Sequence, residues 1–216
     1  MAEEKNIKNY STQLWIFIAV NFSIYITVIL EKDFGFINNF YSDFILQKGF
    51  IAAVLSISTF ALNGIISSQF KAKLVFWRIK NPYPGCRVFT KLIDKDPRID
   101  KTLLINKYKE LPTKPESQNS LWYKIYKNHQ YDPMVFNSHR NFLIARDLTA
   151  LSFSFLIIYT VSFVFMYFSF DISNSWIPFY TIFLISQYIG FSVVARHYGK
   201  RFACNVIAKE YSVLKN

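Results

Sequence analysis

The sequence predicts an all-α, polytopic membrane protein with four transmembrane helices and a helical cytoplasmic domain between spans 2 and 3. Four uncharged runs carry that prediction, residues 9–30, 49–70, 148–170 and 172–195, each at least 22 residues long. A hydrocarbon core about 30 Å thick needs about 20 helical residues, and lipid offers no partner to backbone groups, so each run is expected to be helical. Composition agrees. With 52% apolar, 19% aromatic and 18% charged residues, and 23 Phe, the chain holds more apolar surface than one aqueous core would bury. The same proportions exclude a disordered chain, and 6 Gly, 7 Pro and 2 Cys exclude a collagen-like or disulfide-stapled one.

Residues 1–70 are expected to form an N-terminal helical hairpin, with span 1 at 13–30 and span 2 at 50–67. Glu3 and Glu4 precede the first run and no small-x-small cleavage site follows it, so span 1 reads as a retained anchor. Between the two, Phe36, Phe40 and Phe44 recur every four residues, which predicts a short amphipathic helix on the outer interface.

Residues 71–147 read as a basic helical cytoplasmic domain. Lys71 to Ile79 continues span 2 until Asn81-Pro82-Tyr83-Pro84-Gly85 breaks the helix, and a short helix follows at 87–93. Asp96-Pro97 offers a cap and a first-turn proline for a helix reaching Leu111. Thr113 and Glu116 have the spacing of a capping box, opening a helix through Trp122 and Tyr126. Asp132-Pro133 starts the last one, which meets no further Pro or Gly before span 3 at 148–170. A tight turn at 171–175 and span 4 at 176–195 complete a C-terminal hairpin, leaving 196–216 as a cytoplasmic tail. Trp15, Tyr25, Tyr167, Trp176 and Tyr180 lie near the span ends, where amphipathic rings settle.

Lys and Arg set the orientation. Sixteen of the 25 fall in 71–147 and five from Arg196 onward, against two in the first loop and two before span 1. Both termini and the middle domain are therefore expected on the cytoplasmic side of the membrane. Cys86 and Cys204 then face the reducing side, where no disulfide is expected.

Two groups of residues are functional candidates. On span 2, Ala52, Ser56, Thr59, Asn63 and Ser67 are spaced by 4, 3, 4 and 4, one face of one helix. Such a stripe serves helix packing, or lines a pore when several copies present it to a common axis, with Asn63 the constricting residue and Asn21 of span 1 beside it. The second group is the cationic set Lys71, Lys73, Arg78, Lys80, Arg87 and Lys91 with Trp77. These attract anionic membrane lipids at about 1 kcal/mol per cation, and cations beside a stacking ring also suit a nucleotide or single-stranded nucleic acid. Enzyme chemistry has no motif here. His129, His139 and His197 lack metal-ligand spacing, and neither a phosphate loop nor a nucleophile elbow is present, so neither catalysis nor a metal or cofactor is expected.

The run Phe76 to Arg87 and the run Lys95 to Asp100 resemble segments of small bacterial four-span membrane proteins, some of them effectors in anti-phage operons. The overall plan is similar to the transmembrane effector of the Hailong defence system, an outline shared by the sensor subunit of the Kiwa system. The resemblance covers span count and a basic cytoplasmic domain and transfers no residue role. It implies an oligomeric channel held closed by a nucleic-acid product of a partner nucleotidyltransferase. The sequence thus predicts a homo-oligomeric effector channel, a tetramer for instance, gated by an anionic ligand on its basic domain. The alternative is a non-conducting sensor or scaffold that docks a soluble partner protein.

Overall fold

The computed structural model describes residues 10–30, 57, 61, 63–170 and 177–215. Every element among them is helical. The predicted helix over 36–44, the turn at 171–175 and most of span 2 lie outside the described residues. Two helices, Pro133–Val164 and Pro178–Lys215, are long and apolar enough to cross a membrane. A third, α1 (Ser11–Leu30), is 20 residues long without a charge.

The chain divides into two compact units. One gathers Ser68–Arg146 and Ser192–Asn216. It begins with α2 (Ser68–Phe76), which does not continue span 2 as predicted, since the helix is interrupted at 66–67, and which ends three residues before the predicted 79 because Trp77 takes a φ of 51°. The predicted helix over 87–93 is instead three tight turns: a 3-10 turn (Pro84–Arg87), a π turn (Val88–Leu92) and a second 3-10 turn (Ile93–Lys95). Next comes α3 (Lys101–Tyr108), which starts later than expected. Its cap is Asp100, whose carboxylate accepts from the Thr102 N–H at 2.9 Å, while Asp96 is taken by Arg98 at 2.7 Å.

Helix α4 (Pro115–His129) opens on Pro115 with no side-chain cap. The predicted capping box does not close: the cap position is Lys114, without a side-chain cap, and Glu116 accepts from Asn81 Nδ2 at 2.5 Å. Helix α5 (Pro133–Phe170) starts where expected, capped by Asp132, which accepts from Met134 N at 2.9 Å. Helix α6 (Ile177–Lys215) completes the chain and sends Phe202, Ala203, Val206 and Ile207 into the core of this unit, beside Phe76, Phe89, Trp122, Tyr126 and Phe142. Packing there is close. A methyl group at Gly199 would sit 2.8 Å from Phe76 Cζ and 2.9 Å from Phe142, and one at Gly85 would meet Asn119 Oδ1 at 2.5 Å.

The other unit gathers Tyr10–Ser67 and Asp147–Phe191. Aromatic contacts give the register of its helices. Phe17 of α1 lies 6.2 Å from Phe155 and 5.4 Å from Phe191, and Tyr159 lies 6.5 Å from Tyr25 and 4.8 Å from Tyr180. Moving from Phe17 to Tyr25 therefore ascends α5 and descends α6, so α1 and α5 are parallel in this unit and α6 is antiparallel to both. At the near end Tyr10 Oη donates to Asp147 at 2.9 Å, both buried.

This unit exposes large apolar side chains and buries polar ones beside the apolar Leu14, Ile18, Phe155 and Leu184. Ile16, Val20, Val161, Phe179 and Ile182 are each more than half exposed, while Asn21, Asn63, Thr149, Ser152 and Ser154 are buried. Ser152 and Ser154 spend their hydroxyls on carbonyls one turn back, at 2.9 and 3.0 Å.

Candidate functional site

The candidates on predicted spans 1 and 2 separate clearly. Ser56 and Thr59 lie outside the described residues, and Ser67 is exposed. Asn21 is 1% exposed and Asn63 5% exposed. The Asn21 amide is oriented by its own helix: Nδ2 donates to Phe17 O at 3.0 Å, and a carbonyl accepts from nothing else on that amide, so Oδ1 must point away. Among the described residues, that Oδ1, Asn63 Oδ1 and Gln187 Oε1 are buried acceptors without a hydrogen-bond partner. Asn21 is one turn beyond Phe17 on α1, and Gln187 one turn before Phe191 on α6; since Phe17 and Phe191 touch, helical spacing sets both amides at one depth on facing sides. Gln187 went unnoticed in the sequence because one amide in a long apolar run has no periodic signal.

The cationic candidates prove to be two kinds of residue. Lys71 is buried at 6% exposure. Trp77 carries the Arg196 guanidinium over its ring at 3.5 Å, so one stacking face is occupied. Arg196 also donates through Nε to Val75 O at 2.5 Å, where Ser192 Oγ donates at 3.0 Å, so two side chains of α6 satisfy a terminal carbonyl of α2. Arg87 is structural as well, donating to Pro82 O at 3.2 Å with its charge over Phe76. Burial, and then repulsion from Arg78, lower its pKa, which places Arg78 and Arg87 close together. Lys73 is half-buried, and Arg78, Lys80 and Lys91 are exposed. Among the described residues none of these four makes an ion pair, so their charge is offered to solvent.

A polar cavity of about 180 Å³ lies in the same unit as these cations, between α5 and α6. Met134, Asn137, Ser138 and Asn141 line it from α5, and Tyr198, Arg201 and Asn205 from α6. The sequence analysis missed it. The only signal was spacing, 3 and 4 residues on each helix, and that pattern becomes meaningful once the two helices face one another.

A buried carboxylate, Glu210 at 2% exposure, accepts from Lys107, from Tyr108 Oη at 2.6 Å and from His129 Nε2 at 2.5 Å. Burial raises its pKa, but these hydrogen bonds outweigh burial and hold it below the usual glutamate range. His139 sits face to face with Phe202 at 4.5 Å, its Nδ1 3.0 Å from Tyr126 Oη. Burial, helped by Arg146, pushes its pKa down to about 4, so the ring is neutral and Nδ1 accepts from Tyr126.

Comparison with protein-family models, with curated proteins and with solved structures finds no match. What the chain does is therefore argued from these side chains.

Proposed function

We propose that the chain is a multi-pass inner-membrane protein of four spans, 13–30, 50–67, 148–170 and 176–195, with both termini and the basic 71–147 segment in the cytoplasm. It assembles as a homo-oligomer, for which a tetramer is one arrangement, and conducts ions along a path lined by Asn21, Asn63 and their neighbours Ser56, Thr59 and Ser67. An anionic ligand, a nucleotide or nucleic acid, gates it from the cytoplasmic side. The anti-phage effectors it resembles in plan would make it the membrane arm of a defence system.

One observation carries the channel reading: a unit with apolar side chains outside holds buried amide oxygens that have no partner among the described residues. An unmet buried acceptor costs about 1–3 kcal/mol, a cost that water or a permeating cation would remove. The helix directions support the topology, since parallel α1 and α5 with antiparallel α6 suit spans entering from one side and returning. Helices α5 and α6 each belong to both units, which supplies a continuous route from ligand to membrane.

Planar-bilayer recording tests the proposal. The expected result is reproducible conductance that Asn63→Leu abolishes without altering the mass of the detergent-purified particle; unchanged conductance in that variant removes the pore assignment. The scaffold reading has its own support in Ile79, 82% exposed between Arg78 and Lys80. Silence in every bilayer condition, with capture of an acidic soluble protein that charge reversal of Arg78 and Lys80 prevents, is the outcome that favours it.

A further inference from the structure

We infer that the cavity between α5 and α6 is a binding site for one nucleotide unit, holding the phosphate on Arg201 and the base on Asn137 and Asn141. The inference rests on the cytoplasmic-ligand reading above and gives that ligand an address away from the exposed cationic rim.

Charge comes first. Arg201 is exposed at the mouth and makes no ion pair among the described residues. No carboxylate lines the cavity. The carboxylate nearest along the hydrogen-bond chain, Asp96, is neutralised by Arg98, whose Nη2 also donates to Asn205 Oδ1 at 3.0 Å. Asn205 is 3% exposed, and with Oδ1 committed to Arg98 its Nδ2 remains as a donor in the wall. A guanidinium fork with an amide donor beside it is a phosphate-binding set, while an uncharged ligand would leave Arg201 without use.

The opposite wall differs. Asn137 and Asn141 are one turn apart on α5 and exposed, and each offers a donor and an acceptor in one plane, as paired contacts to a base edge require. Ser138 gives its proton to Val135 O at 2.9 Å and faces the cavity as an acceptor. Tyr198 adds a ring. Size limits the occupant: about 180 Å³ is below the roughly 300 Å³ at which pockets take drug-sized molecules, so the cavity holds at most part of one nucleotide and the remainder lies in solvent. A lipid phosphate shares the charge but not the need for amide edges, and Met134 is the one apolar side chain available to an acyl chain.

Isothermal titration of the full chain in phosphatidylcholine nanodiscs, with AMP, adenosine and inorganic phosphate as probes, tests the site. AMP is expected to bind at least tenfold more tightly than adenosine. Arg201→Gln should weaken AMP at least tenfold, and Asn141→Ala should weaken AMP while leaving phosphate unchanged. Lys124→Gln, exposed on α4 and outside the cavity, should leave AMP affinity unchanged and serves as the folded control.

Equal binding of AMP and adenosine, or AMP binding indifferent to Arg201→Gln, overturns the site. Phosphatidylglycerol nanodiscs that block AMP in the wild type through Arg201 reassign the cavity to a lipid headgroup and overturn the nucleotide. Bilayer recording separates the two proposals: AMP binding without conductance in any condition sinks the channel and keeps the site. Conductance that still responds to AMP in Arg201→Gln does the reverse.

Discussion

Glu210 and His139 are two buried groups that make the unit of Ser68–Arg146 and Ser192–Asn216 sensitive to pH, and both act in the same direction, as do the depressed carboxylates Asp96 and Asp132. Glu210 has a depressed pKa, so its stabilising charge is complete above the ordinary glutamate value of 4.5 and is lost as pH falls through its folded value. His139 is kept neutral, so the unfolded chain takes up a proton near 6.5 that the folded one refuses until about 4. Stability should therefore fall as pH drops across that interval, by roughly 3 kcal/mol at most for a group so buried. Thermal unfolding in detergent between pH 7 and pH 4 measures this, and His139→Phe is expected to flatten the slope between 6.5 and 4. Glu210→Gln leaves Lys107 and His129 facing a neutral amide and should cost about 2 kcal/mol at pH 7. Gly199→Ala pushes a methyl against Phe76 and Phe142 and should cost about 1–3 kcal/mol by the same assay.

Among the helices, the ends and faces tell most. Asp132 caps α5 where Asp-Pro predicted it, because the carboxylate divides its oxygens: Oδ1 accepts from the Met134 N–H while Oδ2 takes Lys209 at 2.9 Å. Asp96 failed as a cap because Arg98, two residues on, took both of its oxygens. The α2 terminus is held by side chains 117 and 121 residues away, Ser192 and Arg196. Arg196→Met should cost about 2 kcal/mol and shift Trp77 emission, since it removes a donor from Val75 O and a cation from the Trp77 face. In α1, Asn21→Leu separates packing from conduction. Removing an unmet buried acceptor should leave thermal stability equal or higher while conductance falls; a large loss of stability with normal conductance would make Asn21 a packing residue.

For the molecule entire, charge is the property that reaches furthest. A chain of net charge +11 keeps Arg78, Lys80 and Lys91 exposed and Lys73 half-buried, without carboxylate partners among the described residues. If single-stranded nucleic acid tracks across these four, replacing all of them with Gln should reduce the slope of log affinity against log salt by roughly 0.7 per cation. Filter binding from 50 to 200 mM salt reads that slope. The rim and the cavity make distinguishable contributions: rim substitutions change the salt dependence of a polymer, and Arg201→Gln changes the affinity of a mononucleotide.

Helical character and the apolar stretches were legible in the residues alone, because the absence of charge over 20 or more positions is a local property and lipid thickness converts it directly into a helix length. The start at Pro133 was legible for the same reason, since proline acts through its own ring and missing N–H, whereas the break expected at Asn81 to Gly85 comes earlier, at Trp77. Asn21 and Asn63 stood out as amides in apolar runs. Their unmet oxygens, the facing of Asn21 by Gln187, and the cavity of Asn137, Asn141, Arg201 and Asn205 did not. Those features belong to pairs of helices more than 50 residues apart in the chain, and only packing decides which side chains of two such helices come to share one space and which find a partner.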